Sequence, residues 1–202
     1  MNMPFDTLAD VSDEALLVLY AKGEPAAARS LTLRLTPRIV RYAARVLSDR
    51  AEAEDVAQEA MLRLWRIAAD WRPDQAGNEA QDRAKISTWL YRVAANLCTD
   101  RLRRRRSVPL ESVAEPEDGR PAPVAAMIHQ QRAAALQAAL AQLPDRQRQA
   151  VVLRHLEGLA NPEIALVLEI GVEAVESLTA RGKRALAAIL AGRREDLGYD
   201  DA

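Results

Sequence analysis

Between Ser107 and Pro123 the chain carries Pro109, Pro116, Pro121, Pro123 and Gly119 among acidic residues, with few apolar ones. Proline lacks a backbone donor and clashes with the preceding helical turn, so neither a helix nor an interior strand runs through such a stretch. It reads as a flexible linker (residues 107–123) that separates residues 10–106 from residues 124–192. On both sides apolar residues recur at helical spacing, with no strand-like alternation and no internal repeat. The expected fold is all-α: two small helical domains, a bundle and a helix-turn-helix unit, joined by that linker.

The first half reads as four helices. Ser12-Asp-Glu opens a pattern through Leu16, Leu17, Leu19 and Tyr20 that stops at Gly23. A second helix begins near Glu24 and places Ala27, Leu31 and Leu35 on one side; Thr36-Pro37 then restarts or kinks it before Ile39, Val40, Ala43 and Leu47. Asp49 can cap a third helix with Val56, Ala60, Leu64 and Ile67 as its apolar seam. Asp55, Gln58, Glu59 and Leu62 form a separate stripe at i, i+3, i+4 and i+7, which by spacing alone equally describes a solvated face. Residues 71–85 break the periodicity as a polar loop with Trp71 at its mouth, and Ser87 is placed to cap the next helix.

That fourth helix, Trp89 to Arg106, ends with five arginines in its last six residues. At about 100° per residue from Leu90, Val93, Ala94 and Leu97 share a stripe flanked by Cys98, while Trp89, Arg92, Asn96, Thr99 and Arg103 fall opposite. An aromatic ring, hydrogen-bonding groups and fixed positive charge on one side suit stacking on bases and holding phosphates. Arginines that merely favour the negative end of a helix dipole would look the same. In the second half, Leu143-Pro-Asp starts a helix running to His155, Gly158 ends it, and Asn161-Pro reads as cap and first turn of a compact helix. A turn at Gly171 leads to a longer helix over residues 172–190, the order of a helix-turn-helix or of any short helix pair.

The net charge of −1 argues against a protein coated in basic charge, so any electrostatic grip on an anion is local to the arginine block. Phosphate-cradling glycine motifs are absent, and His129 and His155 lack ligand-type spacing, so no cofactor, metal or catalytic residue is expected. The single Cys98 excludes an internal disulfide and fits a reducing, cytoplasmic setting. No apolar run approaches the ~18 residues that span a bilayer, so membrane insertion is not expected.

The order of these parts resembles a known family. Ala53-Glu-Asp-Val-Ala-Gln-Glu-Ala-Met-Leu-Arg-Leu-Trp65 looks like region 2.2 of bacterial sigma factors. Ser87-Thr-Trp-Leu-Tyr-Arg-Val-Ala-Ala-Asn96 and the following arginines resemble regions 2.3 and 2.4. Leu140 to Arg154 resembles the start of region 4, and Asn161 to Leu190 its helix-turn-helix. Two such domains without further regions are similar to the extracytoplasmic-function group of the sigma-70 class. The resemblance implies a non-enzymatic factor that binds core RNA polymerase, directs it to promoters through −10 and −35 elements, and promotes melting. It implies that Asp55, Gln58, Glu59 and Leu62 dock on the clamp helices of the polymerase β′ subunit. Trp89, Arg92, Asn96, Arg101, Arg103 and Arg104, with the loop after Trp71, would hold the −10 strand. Glu173, Glu176, Ser177, Arg181 and Arg184 would face the −35 duplex, and a cognate anti-sigma factor would mask the polymerase surfaces. Glu176, Leu178 and Ala180 stand where family members often carry basic residues, so the family's usual −35 sequence does not transfer. Two rival readings remain at this stage: a helix-turn-helix regulator that never meets polymerase, and a helical protein-interaction module.

Overall fold

The computed structural model describes residues 8–71, 85–107 and 124–192. Nearly all of the expected loop after Trp71 and of the linker lies outside these residues. The described chain is helical: α1 (Asp13–Ala21), α2 (Pro25–Leu47), α3 (Arg50–Ile67), α4 (Ile86–Ser107), α5 (Val124–Ala141), α6 (Asp145–Val151), α7 (Asn161–Leu168) and α8 (Val172–Ala191). A π-helical turn, Val152–Leu156, continues α6.

Local chemistry accounts for most of these boundaries. Ser12 accepts from the Ala15 amide at 3.2 Å and starts α1, and Gly23 leaves it with φ of 92°. Glu24 accepts from the Ala26 amide at 3.2 Å, and Pro25 supplies a first residue whose missing donor is no loss. Pro37 neither restarts nor ends the helix: α2 continues through it. It lies on the solvent side, where Leu33 is 64% exposed, so the Leu33 carbonyl deprived of its intrahelical donor can be hydrated. Ser48 then turns the chain in the left-handed region, with φ of 55°, and Asp49 caps α3 by accepting from the Glu52 amide at 2.9 Å.

Two caps differ from the sequence expectation. Helix α4 begins at Ile86, whose amide donates to Glu14 on α1 at 3.1 Å, so a distant carboxylate does the work expected of Ser87. Asn161 is the first residue of α7 rather than its cap: Glu163 reaches back to the Ala160 amide at 2.9 Å, and the Asn161 amide points toward Glu176 at 3.4 Å.

Helices α1 to α4 form one bundle, with α2 packed on α1, α3 and α4; α8 packs on α5, α6 and α7 in the second half. The two halves are not separate bodies. Helix α7 lies along α4, α5 and the π turn pack on α2, and the buried side chains of both halves form one continuous core. Within the second half α8 crosses α6 closely at Gly182, where a Cβ would sit 2.5 Å from Val151 Cγ2. Alanine is ordinarily the better helix former by about 0.5–1 kcal/mol, but here it must displace a buried β-branched side chain. Gly182→Ala is therefore expected to destabilise the protein by roughly 1 kcal/mol or more, read as a lower urea midpoint at unchanged slope.

Candidate functional site

Helix α3 buries Ala53, Val56, Ala57, Ala60, Met61 and Leu64, and this fixes the opposite side toward solvent. Asp55 and Gln58 are exposed there, Leu62 is 44% exposed, and Glu59 is half-buried and paired with Arg63 at 2.9 Å. An exposed i, i+4 pair contributes only about 0.3–0.5 kcal/mol, so Glu59 can change partner at little cost. The four residues expected to dock thus share one outward face: two acids and an amide around a leucine with no core to fill.

The corner that aims α3 is held from α4. Arg105 donates through Nη1 to the Leu47 carbonyl at 2.8 Å, through Nη2 to Asp49 at 2.7 Å, and through Nε to Glu52 at 3.2 Å. One guanidinium therefore binds the last carbonyl of α2 and two carboxylates at the start of α3. Helical phase carries the signal for this role, because at about 100° per residue Arg101 and Arg105 fall near Leu90, on the buried side. Arg106 is likewise occupied, pairing with Asp145 at the start of α6.

Helix α4 presents three sides. Leu90, Ala94, Leu97 and Cys98 face the first bundle. The Cys98 thiol, pushed up to about 12 by burial, stays protonated and is a core group. Tyr91 and Ala95 are also buried, with Tyr91 bonded to Glu157 of the second half. Thr99 belongs to this second side as well, accepting from Gln149 Nε2 at 3.0 Å, so it leaves the nucleic-acid face to which its phase had assigned it. The third side keeps Asn96 and Arg103 exposed, with Arg92 half-buried and Trp89 partly packed against the core. Arg104 is exposed at the end of the helix, whereas Arg101 is half-buried on the flank nearest the bundle.

In the second half, Gly171 starts α8, and Val175 and Gly182 turn inward. Glu173, Glu176, Ser177, Arg181 and Arg184 are all exposed. Arg181 Nε folds back to the Ser177 carbonyl at 3.3 Å, and Glu176 receives the Asn161 amide. The Glu163 carboxyl that supports α7 is held below its usual range by the Ala160 amide and then by Lys85. The residues that join the halves, Glu157, Gln137, Arg148 and Gln149, were not singled out in the sequence. A buried polar side chain in a helix has no periodic signature that distinguishes it from an ordinary solvated one.

Comparison with known proteins gives these surfaces a context. The family model for Sigma-70 region 2 matches residues 31–108, and that for Sigma-70, region 4 matches residues 133–186. Over 182 residues the chain is 34% identical to the ECF RNA polymerase sigma factor SigM of Mycobacterium tuberculosis, covering 89% of this chain and 85% of that one. The chain is an extracytoplasmic-function sigma factor. It is also 30% identical over 190 residues to the RNA polymerase sigma-H factor of Pseudomonas aeruginosa, covering 89% of this chain and 94% of that one. The solved structure of CnrH, in complex with the cytosolic domain of CnrY, matches with a TM-score of 0.63 at 25% identity, covering 89% of this chain and 97% of that one. Sigma factors act in transcription initiation and are not enzymes. No helix among the described residues of this sigma factor is long and apolar enough to cross a membrane.

If Arg105 sets the angle between α2 and α3, Arg105→Ala should destabilise the protein by about 1–3 kcal/mol, since it orphans a carbonyl and two partly buried carboxylates. Urea unfolding checks this, and Arg66→Ala, at an exposed position on α3, should shift the midpoint far less.

Proposed function

We propose that this sigma factor docks on core RNA polymerase through the α3 face of Asp55, Gln58, Glu59 and Leu62. The observation that carries the reading is Leu62, an apolar side chain 44% exposed at the C-terminal end of the stripe that begins with Asp55, Gln58 and Glu59. A helical partner with basic residues around an apolar contact would bury that leucine and replace water around the acids. The clamp helices of the polymerase β′ subunit, which the family resemblance implies, are the partner this reading assigns to the face.

On the same reading, residues 10–106 act as the domain that captures the −10 strand and residues 124–192 as the domain that meets the −35 duplex, joined by the linker over residues 107–123. Trp89 offers an aromatic ring for stacking, Asn96 offers paired donor and acceptor atoms to a base edge, and Arg92, Arg103 and Arg104 hold adjacent phosphates. Arg101 sits deeper and contributes to the local field more than to direct contact. Extruding a base costs a few kcal/mol, which stacking and edge hydrogen bonds offset in the open complex. The phosphate contacts should make promoter binding weaken steeply with salt. The protein works in the cytoplasm, and a cognate anti-sigma factor keeps it inactive until a signal arrives.

Purified protein added to core polymerase on a promoter identified by run-off mapping should give transcripts from a defined start. Asp55→Ala/Gln58→Ala is expected to reduce that transcription at least about tenfold, a loss of roughly 1.4 kcal/mol in docking, without changing the folded protein's melting curve. Normal transcription from this variant would exclude α3 as the docking face.

The outward residues of α8 allow a mixed readout: Arg181 and Arg184 can reach guanine edges or phosphates, while Glu173 or Glu176 can accept from cytosine N4. Arg181→Ala and Arg184→Ala should each weaken promoter binding by about 1–3 kcal/mol in gel-shift titrations of the polymerase complex, and unchanged affinity would place −35 contacts elsewhere.

A further inference from the structure

The last part of α5 reads Ala133-Ala-Ala-Leu-Gln-Ala-Ala-Leu-Ala141, so Leu136 and Leu140 are its large apolar side chains there. With so little side-chain volume on α5, space is left where it meets α8 and the π turn. A cavity of about 170 Å³ lies at that place, lined by Leu136, Leu140, Val151, Leu156 and Leu186. Leu140 and Val151 are buried and form its floor, whereas Leu136, Leu156 and Leu186 are half-buried and form its walls. Val151 is the same residue that packs tightly against Gly182, which anchors the floor.

Protein interiors pack to the density of organic crystals, and voids of this size are few. A water molecule needs two to four polar partners, which leucine and valine do not supply. An engineered protein cavity of about 150 Å³ with a comparable aliphatic and aromatic lining stays dry and takes up benzene. The present cavity therefore has room for a ring of that size and little affinity for water.

The mouth has a different chemistry. Lys183 of α8 and His155 of the π turn complete the lining, and both are exposed. Burial, and then the charges of Lys183 and Arg154, hold the His155 imidazole below its ordinary range. At neutral pH it is an uncharged ring that donates one N–H, beside an ammonium with three donors. The charges that act on His155 are both positive, so the rim favours an anion. A bare inorganic anion would leave the apolar floor empty, and a hydrocarbon would leave the ammonium without a counter-charge. A ligand with an apolar body and a single acidic head matches both parts.

We propose that this cavity binds a small organic acid, its aromatic or short alkyl body buried against Leu140 and Val151 and its carboxylate held at the rim by Lys183 and His155. Such a ligand ties α5 and the π turn to α8, the helix that carries Arg181 and Arg184. The site lies wholly within the second half and is independent of the docking face on α3.

The test titrates phenylacetate into the full chain and follows leucine and valine methyl signals together with heat of binding. The methyls of Leu136, Leu140, Val151, Leu156 and Leu186 should shift saturably, with a dissociation constant at or below about 1 mM for a ligand of this size. Benzyl alcohol, the same ring without the charge, should bind at least about tenfold more weakly, and acetate should leave these methyls unmoved. Lys183→Gln, at an exposed position, should erase the preference for phenylacetate over benzyl alcohol while keeping the affinity for benzyl alcohol. Leu136→Phe should fill the cavity and abolish binding of both at wild-type helicity, and Leu186→Phe repeats that test from the facing wall. Absence of saturable shifts at the cavity methyls, equal affinity for phenylacetate and benzyl alcohol, or a preference that survives Lys183→Gln overturns the proposal. If core polymerase expels phenylacetate and itself shifts the same methyls, the cavity belongs to a protein contact and the assignment to a small acid is overturned.

Discussion

Four carbonyls at the end of α2 have no partner within their own helix, and the architecture is arranged around meeting them. Ala44 receives the Ser48 amide at 2.9 Å as well as Gln137, Arg45 receives Gln137, Val46 receives Arg148, and Leu47 receives Arg105. The donors come from α4, α5 and α6, so one helix end brings three others to the same place. A buried carbonyl left unpaired costs about 1–3 kcal/mol, which makes this end a strong determinant of how the helices assemble. It also explains the sharp left-handed turn at Ser48, which delivers Asp49 to α3 within reach of Arg105.

The same constraint divides the arginines of α4 by task. Arg105 is turned inward by helical phase and spends its hydrogen bonds on the α2–α3 corner. Arg106 meets Asp145. The block that looks uniform in sequence therefore contains two paired cations, Arg105 and Arg106, a half-buried Arg101, and two exposed arginines, Arg103 on the side that also carries Asn96 and Arg104 at the end of the helix. Because the corner sets the direction of α3, the exposed acidic face of α3 and the arginine-bearing helix are coupled by a shared guanidinium rather than by chance proximity.

The contact between the halves joins the apolar core with polar groups: Glu157, Arg148, Gln149 and Gln137 each bond a hydroxyl, carbonyl or guanidinium across it. The Arg148 Nε and Gln149 Oε1 atoms there are buried without a partner. The apolar part of that contact is held at about 25 cal/mol per Å² of surface removed from water.

Read alone, the sequence determined the helical class and the caps at Ser12 and Asp49, with the stops at Gly23 and Gly158. These depend on a residue's own backbone chemistry or on spacing within one helix, so they are legible locally. It also determined that Asp55, Gln58 and Leu62, and Glu173, Ser177, Arg181 and Arg184, point outward, since a buried seam fixes the opposite face. Only the tertiary structure decided that α4 has a second buried side, that Thr99 serves it, that Glu14 and not Ser87 begins the helix, and that Arg105 is a structural clamp. Helical phase says which residues share a side but not what covers that side. The deciding contacts join groups far apart in the chain, such as Arg105 and Leu47 at 58 residues or Gln149 and Thr99 at 50, and their pairing exists only once the helices have packed.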